Sequence, residues 1–136
     1  MGRGGMKQRE ASCSCGQLVV AIDGDPIRVS ICHCHACQRR TGSVFGAQAR
    51  FLSSQARVSG NATVYERTGD SGGRTRFHFC PACGATVYYR FGHTDEFIAV
   101  PVGAFADKGF PGPVFSVYEE RQHPWVRLPD GIEHHP

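Results

Sequence analysis

Seven cysteines fall into three groups along this chain of 136 residues, and thiols at short, regular spacing are typical zinc ligands. The last group has the CxxCG pattern of a zinc knuckle, in which a tight turn aims two sulfurs at one point. Gly84 then takes a conformation that a Cβ would obstruct. The groups are a CxC pair (Cys13 and Cys15), a CxCxxC trio (Cys32, Cys34 and Cys37) and the CxxCG pair (Cys80 and Cys83).

Two divisions of the seven thiols are compatible with this spacing. In the first, which we favour, the CxC pair joins the CxxCG pair in a closed site of four ligands, and the trio forms a second site. Three ligands leave one coordination position open, as in catalytic zinc centres. In the other division, Cys34 and Cys37 join the CxxCG pair, and Cys32 is left with the CxC pair.

Two histidines lie within or beside the trio. If the trio begins in extended backbone, successive side chains point to opposite faces. Cys32 and Cys34 then face the metal, while His33 and His35 face away. We therefore interpret His33 as a neighbour of the site and a candidate proton shuttle, and neither histidine as a metal ligand.

Arg39 and Arg40 follow the trio directly and allow two interpretations. They form a solvated basic turn that offsets the negative charge of three thiolates, a grip on a substrate carboxylate, or both. The small residues Thr41, Gly42 and Ser43 come next and would keep the open side of the metal accessible.

Short stretches of alternating apolar residues, separated by glycines and prolines, predict the elements that position these groups. No segment has a strong helical period, so the pattern predicts a compact all-β sheet or barrel. A turn at "DGDP" predicts a hairpin between the first two strands, and "TGDSGG" predicts the tip of another. Trp125 is expected to pack on the sheet. The predicted strands are 17–23, 26–31, 44–51, 63–67, 74–79, 85–91, 96–102 and 114–119.

The length suits one domain, which we place at residues 11–130 between a flexible N-terminus (1–10) and a tail (131–136). Residues 1–9 lack the apolar core of a secretory signal, and no apolar run approaches the roughly 20 residues that span a membrane. Clustered thiols without an export signal predict a reducing, cytoplasmic location. The net charge of +3, without a dense basic run, argues against binding to nucleic acid.

The pattern CxCG, CHCxxCxRxxGS and FCxxCG, followed by "PWVRLPDG", is similar to that of the glutathione-dependent formaldehyde-activating enzymes, a family whose domain is shared with centromere protein V. The resemblance runs from Ala11 to Asp130 and includes all seven cysteines and the "VGAF" and "HPW" segments. It implies a zinc-centred β fold similar to that of the methionine sulfoxide reductase B enzymes. It also implies the first division of ligands, with one structural and one catalytic zinc per chain.

The same resemblance implies a carbon–sulfur lyase that interconverts S-hydroxymethylglutathione with glutathione and formaldehyde. The catalytic site would then comprise the trio and His33, and the partner would be a small thiol adduct such as that of glutathione. The alternative from another functional class is a zinc-stabilised binding module without turnover.

Overall fold

A computed structural model describes residues 7–69 and 72–136, and strands make up 43% of these described residues. The described residues also contain one α-helix, α1 (His35–Thr41), and three short 3₁₀ turns. The strands are β1 (Gln8–Ser12), β2 (Val19–Asp23), β3 (Arg28–Cys32), β4 (Gly46–Leu52), β5 (Ala56–Ser59), β6 (Thr63–Thr68), β7 (Arg74–Phe79), β8 (Thr86–Phe91), β9 (Phe97–Pro101), β10 (Phe115–Val117) and β11 (Glu133–His135).

The strands form two sheets. The smaller has the order β1-β2-β5, and the larger has the order β11-β10-β3-β4-β9-β8-β7-β6. Neighbouring strands are antiparallel except that β10 runs parallel to both β3 and β11. The predicted all-β fold is confirmed, in the form of two open sheets rather than a closed barrel.

One apolar core joins the two sheets. Val20 and Ile22 alternate with half-buried residues along β2, as expected for a strand with one buried face. They belong to the same buried cluster as Phe51 on β4 and Ile98 and Val100 on β9. The sheets therefore pack face to face, and the cysteine groups lie at the ends of their strands.

Of the two predicted hairpins, one is wrong and one is confirmed. Strands β2 and β3 lie in different sheets, because β1 and β5 occupy both edges of β2 while β3 pairs with β4 and β10. Apolar alternation shows that a strand has a buried face but does not show which sheet it joins. Strands β6 and β7 do form a hairpin, with Thr68 opposite Arg74, although residues 70 and 71 at its tip lie outside the described residues.

Both ends of the described chain pair in sheets. Strand β1 begins at Gln8, within the segment predicted to be flexible, and pairs with β2 from Gln8 opposite Asp23. Residues 1–6 of that segment lie outside the described residues. In the predicted tail, β11 pairs with β10, so this part of the tail extends the larger sheet.

Two further expectations about local structure are wrong. Helix α1 was not expected; Cys34 caps its N-terminus, and Gly42 ends it in the left-handed conformation (φ 70°). Trp125 is 67% exposed and does not anchor the tail. The turn in which the Val126 N–H donates to the His123 carbonyl buries Val126 instead.

None of the helices among the described residues has the length and apolar character needed to cross a bilayer.

Candidate functional site

Four sulfurs converge where β1 ends and the knuckle after β7 begins. The Sγ atoms of Cys13, Cys15, Cys80 and Cys83 all lie within 4.8 Å of one another, and Cys15 is 3.7 Å from both Cys13 and Cys80. Sulfurs placed about 2.3 Å from a tetrahedral zinc are about 3.8 Å apart. The cluster therefore fits one zinc ion with four thiolate ligands.

Hydrogen bonds to sulfur organise this four-cysteine cluster. The Gln17 side-chain amide donates to Cys80 Sγ over 3.0 Å, and the Ala82 N–H donates to the same sulfur over 3.3 Å. The Gln17 hydrogen bond is the main reason that the pKa of Cys80 is lowered to about 6, despite burial. Backbone N–H groups, first that of Ala85, lower the pKa of Cys83. The knuckle thus favours thiolates, which are the form that binds metal.

The trio forms a second cluster between β3 and α1. The Sγ atoms of Cys32, Cys34 and Cys37 all lie within 4.8 Å of one another. Cys32 is buried at the end of β3, and the Cys34 sulfur accepts the Cys37 N–H at the start of α1. The structure thus groups the seven sulfurs as in the first division, and this cluster fits a zinc ion with three protein ligands.

The three thiols share protons unequally. Hydrogen bonds from Cys32 and then Cys37 lower the pKa of Cys34 to about 2. The hydrogen bond to Cys34 raises the pKa of Cys32, followed by the one to Cys37 and by burial. These shifts, together with the raised pKa of Cys37, favour the thiolate at Cys34 and the protonated thiol at Cys32 and Cys37 when the trio holds no metal. A zinc ion would displace those protons.

His33 lies beside the trio but does not belong to the cluster. Its ring is fully buried, and Nε2 lies 3.1 Å from the hydroxyl of Ser116 on β10. Burial lowers the pKa of His33, and its Nδ1 is buried without a hydrogen-bond partner. Among the described residues, neither His33 nor His35 is grouped with cysteine sulfurs. The ring is therefore placed to contact Ser116 rather than a metal.

An open cavity of about 680 Å³ lies against α1. His35, Arg39 and Arg40 line it from the helix, and Gly84 of the knuckle lines it from the other side. No carboxylate of the described residues lines the cavity, so its charge suits an anionic ligand. The remaining charged and aromatic lining residues are Arg67, Arg121, Tyr65, Phe77 and Phe79.

Arg40 connects this cavity to the trio. Its guanidinium lies 5.0 Å from the ring centre of Phe77 and 4.8 Å from that of Tyr89, and it donates to the Tyr89 hydroxyl over 3.2 Å. A Cβ placed at Gly46 would lie 3.3 Å from Arg40 Nη2 and 3.8 Å from Cys37 Sγ. The guanidinium and the Cys37 sulfur thus both approach Gly46. The hydrogen bond from Cys32 and, as the smallest cause, the charge of Arg40 lower the pKa of Cys37, but the hydrogen bond to Cys34, burial and the charge of Cys34 raise it, and the net shift is upward. Arg40 is therefore held by aromatic contacts, whereas Arg39 is exposed at the edge of the cavity, so both interpretations of this pair remain.

Cys34 lines a second, smaller cavity of about 210 Å³, together with Tyr118 and Arg67. Arg67 also lines the larger cavity, so the two spaces share a wall. Tyr118 has a left-handed backbone (φ 57°), which is costly for a bulky residue and often occurs at functional sites. The trio is therefore accessible through Cys34 from a space that adjoins the arginine-rich cavity.

Comparison with known proteins agrees with this arrangement. A sequence profile described as glutathione-dependent formaldehyde-activating enzyme matches residues 8–121. The chain belongs to this family. The match includes both cysteine clusters, α1 and the arginine-rich cavity.

The fold is similar to the crystal structure of a Rhodobacter sphaeroides protein from a structural genomics programme, with a TM-score of 0.55 and 22% sequence identity. That similarity covers 75% of this chain and 90% of the other and concerns the fold alone. No curated protein sequence is significantly similar to the chain.

Sequence reasoning missed two supporting side chains, Gln17 and Gln38. Gln17 lies two positions after the CxC pair, and its partner Cys80 is 63 positions further along the chain. Gln38 directly follows Cys37 and donates to the backbone carbonyls of His33 and Arg121. Nothing in the local sequence marks either amide, because each acts on a distant segment.

Proposed function

We propose that this member of the family is a zinc-dependent carbon–sulfur lyase acting on adducts of an anionic thiol with an aldehyde, of the S-hydroxymethylglutathione type. The observation that carries the proposal is the position of the three-cysteine cluster beside an arginine-rich cavity. The four-cysteine cluster would hold a second, structural zinc. When bound at the trio, zinc supplies one open coordination position, at which a thiol loses its proton near neutral pH.

The larger cavity would bind the thiol carrier. Arg39 and Arg40 from α1 and Arg67 from β6 present guanidinium groups, which bind carboxylates through paired hydrogen bonds. Glutathione carries carboxylates at both ends of an extended chain, so an open cavity with several arginines suits it better than a compact neutral thiol. Arg40 would orient the adduct, because it lines this cavity and its guanidinium approaches Gly46, as the Cys37 sulfur also does.

Cleavage of the adduct requires a path for one proton. As the carbon–sulfur bond breaks, its electron pair goes to sulfur, the carbonyl bond forms and the hydroxyl proton is lost to a base. We assign this proton to His33, whose Nε2 contacts Ser116 Oγ. The Ser116 hydroxyl lowers the pKa of the Glu119 carboxylate, which places the two groups near each other, and His134 Nδ1 contacts that carboxylate at 2.6 Å. Because the His134 side chain is 55% exposed, this route would lead from the buried ring to solvent.

The test is the rate at which adduct and free glutathione exchange, measured by NMR in a mixture of glutathione and formaldehyde. Zinc-loaded protein should accelerate exchange above the spontaneous rate. Cys34→Ser should abolish this acceleration while circular dichroism shows an intact fold. Ser59→Ala, at an exposed position on β5, is the control that should keep the wild-type rate. Exchange no faster than in buffer would refute the lyase and favour a zinc-stabilised binding module.

A further inference from the structure

Helix α1 requires anchors other than apolar packing. It has seven residues, none of them buried, yet it carries Cys37 of the trio and two arginines of the cavity. A helix of this length is unstable by itself, and most helices in proteins are stabilised by burying an apolar face. Polar side-chain contacts must therefore fix its position. Arg40 provides one such anchor, through Phe77 and Tyr89.

The side-chain amide of Gln38 provides the other anchor. Its Nε2 donates to the His33 carbonyl over 2.8 Å and to the Arg121 carbonyl over 3.3 Å. Its Oε1 lies 3.0 Å from Nε2 of His123. Both N–H groups of the Gln38 amide and its oxygen thus form hydrogen bonds, each to a different residue. The two carbonyl partners fix the amide orientation, so His123 must carry its proton on Nε2.

These contacts join segments that are far apart in sequence. Arg121 is 83 positions after Gln38, and His123 is 85 positions after it. The His33 carbonyl belongs to the turn that carries Cys32 and Cys34, whereas Arg121 lines the larger cavity. One amide therefore sets the position of the thiol trio relative to a wall of the cavity.

We propose that Gln38 and His123 are positioning residues that form a clamp between the cysteine turn and the segment bearing Arg121, and thereby set the preference of the site for anionic thiols. The clamp gives a role to His123 of the "HPW" segment, which the chemistry itself does not use. This inference rests on the proposed function, because its consequence is a preference among thiol adducts.

Two variants remove the clamp and a third preserves it. Gln38→Met keeps the side-chain length but loses all three contacts, and His123→Leu leaves Gln38 Oε1 without a donor. His123→Gln can still direct an amide N–H at that oxygen. Gln8→Met is the matched control, because Gln8 is exposed on β1 and its side chain contacts Asp23.

The measurements are hydrogen exchange of the zinc-loaded protein, and kinetics with the formaldehyde adducts of glutathione and of neutral 2-mercaptoethanol. Gln38→Met and His123→Leu should speed amide exchange in residues 33–38 and 118–126. They should raise KM for the glutathione adduct about tenfold while changing kcat/KM for the neutral adduct by less than about twofold. His123→Gln and Gln8→Met should resemble wild type in both measurements.

The two proposals fail separately. Unchanged amide hydrogen exchange in Gln38→Met would overturn the clamp. Faster hydrogen exchange together with an unaltered preference for the anionic adduct would overturn the positioning role of Gln38 and His123. Wild-type protein that processes neither adduct would overturn the proposed function and the inferred preference, whereas the clamp contacts would still be judged by hydrogen exchange.

Discussion

Gln17 donates a side-chain N–H to the sulfur of Cys80 over 3.0 Å and also holds the backbone of Asn61 through both ends of its amide. One side chain therefore links the CxC pair to the knuckle and to the turn after β5. The hydrogen bond favours the Cys80 thiolate, as the pKa of about 6 shows.

Gln17→Leu should raise the pKa of Cys80 toward the ordinary thiol value of about 8.5, because the thiolate loses its strongest donor. A protonated Cys80 no longer binds metal, so the pH at which the four-cysteine cluster releases its zinc should rise in Gln17→Leu. Acid titration of zinc-loaded protein with all seven cysteines, with released zinc read by a chelator dye, checks this. Gln8→Leu, which alters an exposed amide elsewhere, should leave the titration unchanged. A midpoint that does not move in Gln17→Leu would contradict the assigned cause.

Gly60 is the second feature that supports the same cluster. Its φ is +97°, and a Cβ there would lie 2.0 Å from the Gln17 carbonyl oxygen. Gly60→Ala must therefore displace backbone as well as adopt a strained conformation. We expect it to lower the free energy of unfolding by at least about 2 kcal/mol, measured with urea on zinc-loaded protein.

Gly131→Ala is the control for backbone strain alone, because its φ is +79° and nothing lies within 4 Å of the added atom. Gly131→Ala should lower the free energy of unfolding by about 1 kcal/mol. Equal losses in the two variants would show that the close approach to Gln17 does not matter.

The two clusters should respond differently to loss of one sulfur. Cys80→Ser removes a ligand from the closed site, whose binding energy of about 10 kcal/mol also stabilises the fold, so the domain should unfold. Cys37→Ser should keep its circular dichroism spectrum and lose one zinc equivalent. Native mass spectrometry beside circular dichroism checks both. Unfolding of both variants would show that the trio is a structural site as well.

The trio should have an unusual pH profile of alkylation. Because the pKa of Cys34 is lowered to about 2, its thiolate is present at all working pH values. In protein that carries zinc at the four-cysteine cluster but none at the trio, alkylation of Cys34 by iodoacetamide should therefore be almost independent of pH between about 5 and 8. N-acetylcysteine, measured alongside, should react about tenfold faster for each pH unit over this range. If the alkylation rate of Cys34 rises with pH as steeply as that of N-acetylcysteine, the lowered pKa assigned to Cys34 is wrong. Peptide mass spectrometry reads both rates at the residue level.

The sequence predicted the grouping of the cysteines better than the connections between strands. Cysteine spacing is a local signal, so the CxxCG knuckle could be inferred from it. Spacing alone left two divisions of the seven sulfurs open, and the family resemblance implied the division that the structure shows. The eight strands from apolar alternation are all present, although β10 is shorter than predicted. Strands β1, β5 and β11 were missed because they are short and partly polar.

The features that sequence could not supply depend on distant partners. Helix α1 begins at a cysteine rather than at one of the usual capping residues, and it buries no side chain, so it has neither an ordinary cap nor a helical apolar pattern. Trp125 illustrates the opposite error, since its size predicted burial while the turn around it exposes the ring. Only the folded chain shows that Gln38 meets His123.

The parallel pairing of β10 with β3 also bears on biosynthesis. Ser116, which contacts the ring of His33, is translated 83 codons after it. While the ribosome is still adding the intervening residues, the trio lacks this support and its sulfurs are open to oxidation. We therefore expect the nascent polypeptide to acquire the zinc proposed for the trio only after β10 has emerged and docked, so that maturation of the centre follows translation rather than accompanying it.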